Sequence, residues 1–220
     1  MSPSLRPTAV VFDLDGLMFN TEELYQEVGA ELLRRRGCVF TSELLDKMMG
    51  RPGHVSLQTM IDEHALGDTV AQLQAESDDI FQGILATRLA PMPGLVELLA
   101  ALERQQIPKA IATSSRRSFL KNVLSRFDLE PRFAFTLTAE DVTHGKPDPE
   151  IYLTAARRLN RAPAEVLVLE DSHHGCRAAV AAGAHAVAVP GGHSRRHDFS
   201  GTQFIAESLV DRRIYQALGI

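Results

Sequence analysis

Thr8-Ala-Val-Val-Phe12 runs directly into Asp13-Leu-Asp-Gly16. A short apolar, β-branched run bounded by Pro7 reads as a buried strand. Its abrupt change to carboxylates and a glycine reads as a turn at the strand's carboxyl end. The pattern returns downstream. Lys109-Ala-Ile-Ala-Thr113 leads into Ser114-Ser115, and Val166-Leu-Val-Leu169 leads into Glu170-Asp171. Ala134-Phe-Thr-Leu137 and His185-Ala-Val-Ala-Val189 are further apolar runs, and Phe204-Ile205 is a short last one. Helical stretches separate them: Pro93-Gly94 to about Gln105, Ser115 to Phe127, Pro149 to Asn160, Gly175 to Ala182 and Leu209 to Leu218. Strands alternating with helices imply an α/β fold, a Rossmann-like parallel sheet with helices on both faces. Ligands of such sheets bind outside the carboxyl ends of the strands. The polar residues of this chain stand at those ends.

The stretch from Thr21 to about Thr87 has a different character. It contains no strand-like run, and apolar residues recur at helical spacing, as in Leu24, Val28, Leu32 and Leu33. Breaks fall near Gly37, Gly50-Arg-Pro-Gly53 and Gly67, which gives about four helices. The expected organisation is a discontinuous sheet domain, residues 1–18 and 88–220, with an all-helical insertion over residues 19–87.

Length and composition agree with this plan. The chain has 220 residues, 45% of them hydrophobic, enough for a sizeable core. A net charge of −5 with no basic block argues against nucleic-acid or membrane partners. Cys38 and Cys176 have no metal-type spacing, which suits a reducing cytoplasm. The N-terminal residues lack the apolar region of a secretion signal, and no window approaches the roughly 18 apolar residues a membrane span needs.

The strand ends carry the chemistry. Asp13 and Asp15 would repel each other unless a cation or a proton lay between them. A hard divalent cation such as Mg2+ resolves this, leaving one carboxylate as nucleophile and the other as proton carrier. A strand-end turn with capping acids is the plainer reading. Thr113-Ser114 combines a hydroxyl with backbone N–H groups ahead of a helix, a ready phosphate site or an ordinary cap. Lys146 lies in Gly145-Lys-Pro-Asp-Pro149, a loop stiffened by prolines, in a chain with few lysines. A lysine pinned there could neutralise a phosphoryl oxygen and a nearby carboxylate, although taken alone the motif reads as an exposed loop lysine. Glu170 and Asp171 suggest further metal ligands. Together these strand ends supply nucleophile, acid/base, phosphate cradle, cation and metal site.

This ordered set closely resembles the haloacid dehalogenase (HAD) superfamily, over nearly the whole chain. The helical insertion looks like the cap of the β-phosphoglucomutase-like subgroup. Met92-Pro-Gly94, Ala112-Thr-Ser-Ser115, His144-Gly-Lys-Pro-Asp-Pro149 and Val189-Pro-Gly191 resemble its pseudouridine-5′-phosphatase and sugar-phosphatase members. The resemblance implies that Asp13 forms an aspartyl phosphate. Asp15 protonates the leaving alcohol and then activates water, and Thr113, the Ser114 backbone and Lys146 hold the phosphoryl group. It places Mg2+ on Asp13, the Asp15 main-chain carbonyl and Asp171, with Glu170 as a further ligand. The expected activity is a phosphatase for a small phosphorylated metabolite, such as a sugar phosphate or a nucleoside monophosphate, in a monomer or weak homodimer. A β-phosphoglucomutase-type phosphomutase is the alternative within the superfamily, and a non-catalytic metabolite sensor the alternative outside it.

Two positions depart from the superfamily pattern. Asn20 replaces the usual Asp and is expected to cap the helix beginning at Thr21. The loop Gly50-Arg-Pro-Gly-His54 has Gly53 where β-phosphoglucomutase carries a phosphate-clamping arginine, and Arg51 is displaced along it. Other signals read as structural. His173-His174 point about 100° apart on a helix, Arg34-Arg-Arg36 reads as a solvated helix end, and Cys176 reads as a small buried filler.

Overall fold

The computed structural model of the chain describes residues 6–48 and 53–220. It divides into two compact units, Met1–Phe19 with Pro91–Ile220, and Asn20–Ala90.

The first unit holds the strands β1 (Ala9–Phe12), β2 (Lys109–Ala112), β3 (Thr136–Leu137), β4 (Val166–Glu170), β5 (His185–Ala188) and β6 (Phe204–Ile205). They form one sheet in the order β3-β2-β1-β4-β5-β6, and every pairing is parallel. Chain order reverses across β1, so the crevice expected of a doubly wound sheet opens between the carboxyl ends of β1 and β4. β3 is shorter than its apolar run, because Ala134 and Phe135 lie outside the ladder even though their backbone groups bond to β2.

The second unit is all-helical among the described residues: α1 (Thr21–Arg34), α2 (Ser42–Met48), α3 (Gly53–His64) and α4 (Val70–Arg88). The sheet unit carries α5 (Leu95–Arg104), α6 (Arg117–Ser125), α7 (Glu150–Arg158), α8 (His173–Ala181) and α9 (Arg212–Leu218).

Strand periodicity sets both faces of the sheet. Ala9, Val11, Ala110, Ala112, Val166, Val168 and Ala186 pack with Ile151, Tyr152, Ala155 and Ala156 of α7 and with Ala178 and Ala179 of α8. Small residues predominate there, which lets the helices sit close to the sheet. Val10, Phe12, Ile111, Leu167, Leu169 and Val187 point the other way and are fully buried as well. A sheet covered on both faces needs continuous apolar strands rather than alternating ones, which is how these runs read.

The helical unit corrects two expectations. Asn20 precedes α1, but its side chain makes no cap hydrogen bond there. Its Nδ2 donates instead to the Arg88 carbonyl at 3.2 Å, and its Oδ1 accepts from the Ala90 N–H at 2.8 Å. In the arginine run, Arg34 and Arg35 are exposed as expected of a solvated helix end, but Arg36 is drawn inward. Arg36 bonds to both oxygens of Asp68 at 2.8 Å and to Glu76 at 2.6 Å. Tyr25 stacks on Phe81 with ring centroids 4.4 Å apart. Arg51 and most of the clamp loop lie outside the described residues.

Candidate active site

β1 ends at Phe12, and the Asp13 N–H still bonds to the Leu169 carbonyl of β4 at 3.0 Å. The chain then turns through Gly16, whose φ of +73° favours glycine, and the Gly16 N–H bonds to the Phe19 carbonyl at 3.0 Å. This turn separates the two aspartates. Asp13 is buried, and its Oδ1 accepts from Lys146 Nζ at 2.5 Å. Asp15 faces β2, where its Oδ2 accepts from Ser115 Oγ at 2.5 Å and lies 3.4 Å from Thr113 Oγ1.

Thr113 is buried just past β2, and its hydroxyl accepts from the Ser115 N–H at 2.9 Å. Ser114 is exposed beside it. Lys146 is not an exposed loop lysine: its side chain is 5% exposed. The loop that delivers it is fixed by Glu150 at the start of α7, which accepts from the N–H groups of Thr143 at 2.9 Å and His144 at 2.8 Å. All three ammonium protons have acceptors, in Asp13, Glu170 at 2.7 Å and the Ala112 carbonyl at 3.0 Å.

β4 delivers Glu170 and Asp171, both buried. Carboxylate oxygens of Asp13, Glu170 and Asp171 lie within 4.8 Å of one another. The Asp15 carboxylate is not in that group, so any share Asp15 takes in holding a metal falls to its main chain. Burial, together with Glu170 and Asp15, outweighs Lys146 and raises the Asp13 pKa from 3.8 to about 8. Burial also acts to raise Glu170, but Lys146, the Tyr152 hydroxyl and the Ser172 N–H hold it below its ordinary value. On Lys146 the two carboxylates overcome the burial that disfavours its charge. A divalent cation among these oxygens would hold Asp13 ionised, and an all-carboxylate donor set suits a hard ion such as Mg2+. The residues therefore fit the metal that the sequence implies.

Three contacts were not legible in the sequence. Ser115 and Ser172 were visible only as neighbours of Thr113-Ser114 and of Glu170-Asp171, with no contact assigned to either, and Tyr152 carried no motif signal. His173 and His174 do not join the carboxylate group; their rings meet edge to face at 5.5 Å, and His173 Nδ1 contacts the Asp198 carbonyl. Cys176 is buried as filler, and burial pushes its thiol pKa upward.

Residues 10–189 match the haloacid dehalogenase-like hydrolase family. The chain belongs to that family. It is 34% identical over 175 residues to a phosphorylated carbohydrates phosphatase of Thermotoga maritima, covering 80% of this chain and 81% of that one. It is 31% identical over 213 residues to a probable pseudouridine-5′-phosphatase of Drosophila melanogaster, covering 93% and 90%. Among solved structures, a putative β-phosphoglucomutase of Thermotoga maritima superposes with a TM-score of 0.79 at 29% identity, over 96% of each chain. Membership in this family is what the strand-end motifs implied, and the parallel sheet is that of these hydrolases.

Proposed function

We propose that the chain is a Mg2+-dependent phosphatase that hydrolyses a small phosphorylated metabolite through an aspartyl phosphate on Asp13. That it is a HAD-like phosphoric monoester hydrolase follows from its family and from the phosphatases among its relatives. The metal, the intermediate and the substrate are the proposal. A sugar phosphate or a nucleoside monophosphate such as pseudouridine 5′-phosphate is the substrate class, and the cytoplasm the expected compartment. The observation that carries the reading is the division of labour between the aspartates: Asp13 faces Lys146, while Asp15 is held apart by Ser115.

The chemistry follows from that division. Asp13 attacks phosphorus, forming an Oδ–P bond as the P–O bond to the leaving alcohol breaks. Asp15 gives its proton to the departing oxygen. Lys146 and Thr113 hold the phosphoryl oxygens, Lys146 supplying the charge that in-line transfer needs. Asp15 then takes a proton from water as that water attacks phosphorus, which releases inorganic phosphate and frees Asp13. Asp13, Asp171 and the Asp15 main-chain carbonyl would hold Mg2+, with Glu170 beside them, and the ion would neutralise charge on the phosphoryl group.

The test is turnover of p-nitrophenyl phosphate, followed by a panel of phosphorylated metabolites. Activity should vanish with EDTA and return with Mg2+, and rapid quench should trap phosphate on Asp13. A fully active EDTA-treated enzyme would remove the metal from the proposal. The structural neighbour makes a phosphomutase the second reading. Phosphorus NMR separates the two: a phosphatase releases one inorganic phosphate per substrate, whereas steady conversion of glucose 1-phosphate to glucose 6-phosphate without matching release would establish the mutase.

A further inference from the structure

Glu170 is enclosed more completely than a metal ligand needs. It is 0% exposed, and donors already occupy both of its oxygens. Oε1 accepts from Lys146 Nζ at 2.7 Å and from Tyr152 OH at 2.7 Å. Oε2 accepts from the Ser172 N–H at 3.0 Å and Ser172 Oγ at 2.9 Å, and Ser172 Oγ in turn accepts from the Gly175 N–H at 3.0 Å. Gly175 closes the seat. A Cβ at this position would overlap the Glu170 carboxylate, and the backbone there is ordinary helix, so the glycine is present for space rather than for conformation.

Tyr152 touches both members of the pair that this seat supports. It is 1% exposed on α7, its hydroxyl donates to Glu170, and its ring lies under Lys146 Nζ with the centroid 5.0 Å away. A ring face at that distance stabilises an ammonium group, and a phenol proton shared with a carboxylate makes that carboxylate a weaker partner for the lysine.

We propose that Tyr152, acting through Glu170, is a positioning residue that sets how Lys146 is divided between Glu170 and Asp13. The inference rests on the reading of Lys146 as the cation that holds the phosphoryl group. With the hydroxyl removed, one site on Oε1 of a fully buried carboxylate loses its donor. The nearest group able to compensate is Lys146, already 2.7 Å away. The ammonium then moves toward Glu170 and away from the Asp13 oxygen and from the phosphoryl group that Asp13 attacks. This shift costs the chemical step more than substrate binding.

The experiment is a double-mutant cycle on the full-length protein, with Tyr152→Phe, Lys146→Met and both together, read with p-nitrophenyl phosphate at saturating Mg2+. Tyr152→Phe keeps the ring and the packing. Its kcat should fall by about 10-fold while KM stays within about threefold, the size expected for one hydrogen bond to a charged group. In the Lys146→Met background the same change should have no further effect, because the residue through which it acts is gone. If Lys146→Met does not fold, Lys146→Gln, which also removes the charge, closes the cycle. Gly175→Ala, which displaces the same carboxylate from its other side, should lower kcat at least as far as Tyr152→Phe does. Wild-type kcat in Tyr152→Phe, or equal losses in both backgrounds, would overturn the inference and leave the role of Lys146 standing. Wild-type kcat in Lys146→Met would overturn both.

Discussion

Lys146 in the sheet unit and Arg36 in the helical unit are held by the same set of partners: two carboxylates and one backbone carbonyl. Lys146 bonds to Asp13, Glu170 and the Ala112 carbonyl, and Arg36 to Asp68, Glu76 and the Leu32 carbonyl. The side chains of Lys146 and its two carboxylates are at most 8% exposed, whereas those of Arg36 and its two carboxylates are 17–26% exposed. Electrostatics separates them further. Hydrogen bonds from Arg36 hold Asp68 and Glu76 below their ordinary pKa values, while burial lifts Asp13 above its own despite the lysine beside it. An arginine whose fork is satisfied near water serves as a fixed tie between helices. A buried lysine between one carboxylate that resists ionisation, Asp13, and one that stays ionised, Glu170, is the arrangement that the proposed mechanism uses to admit a second cation and a phosphoryl group.

Charge removal should break this parallel most sharply. Asp13→Asn should lose at least about 10³-fold in turnover, as expected for a covalent nucleophile. Asp68→Asn, its counterpart beside Arg36, should leave turnover unchanged. Steady-state assays decide both, and an active Asp13→Asn enzyme would end the mechanism. Asp15→Asn should cost about 10²–10³-fold, within the range of general acid–base groups. With p-nitrophenyl phosphate, phosphoenzyme should accumulate, since the first step needs little acid help. Rapid quench that finds less phosphoenzyme than in wild type would contradict the role of Asp15.

Asp171→Ala should raise the Mg2+ concentration for half-maximal activity by about 10-fold or more, because an all-oxygen site loses a charged ligand. An unchanged titration would remove Asp171 from the metal. Stability should report the same site. The Asp13 pKa is raised from 3.8 to about 8, so between those values the folded metal-free protein binds a proton that the unfolded chain has released. Its contribution is complete below pH 4 and is lost as pH rises toward 8. Mg2+ should therefore raise Tm more at pH 8 than at pH 5, and equal gains would show that Asp13 ionises without the ion. The smallest effect belongs to Arg36→Ala, which should lower stability by about 1 kcal/mol and Tm by about 2–4 °C without changing kcat. Thermal melts at low and high salt test it, since the loss should shrink as salt screens the wild-type pairs.

How much of this was legible in the sequence follows from how each residue is held. The sheet and the strand-end residues Asp13, Thr113 and Glu170 were legible because a buried parallel strand is a continuous apolar run and its end is marked by an abrupt polar residue, and Lys146 because it stands in a proline-framed loop of a chain with few lysines. Tyr152 was not legible. A tyrosine on the apolar face of α7 reads as core, and only the fold reveals that its hydroxyl reaches β4. The cap role expected of Asn20 failed for a related reason. Its side chain finds partners 68 and 70 residues away, at Arg88 and Ala90, and no local pattern encodes such a partner. The pairing of Arg36 was equally hidden, since its partners Asp68 and Glu76 lie 32 and 40 residues ahead.

The bonds made by Asn20 have a consequence for inheritance. The Asn20 N–H bonds to the Ala90 carbonyl at 3.2 Å while the Asn20 side chain takes the Ala90 N–H, and Phe19 and Pro91 form an antiparallel bridge one residue further out. The chain thus leaves the sheet unit and returns to it at one doorway, and the intervening 70 or so residues are, topologically, a single long loop. Because closing a loop costs little more as it lengthens, such an insert can be shortened, enlarged or replaced without rethreading a strand. Recombination at this doorway can therefore supply the same strand-end chemistry with a different helical insert while leaving Asp13, Lys146 and Glu170 where they stand.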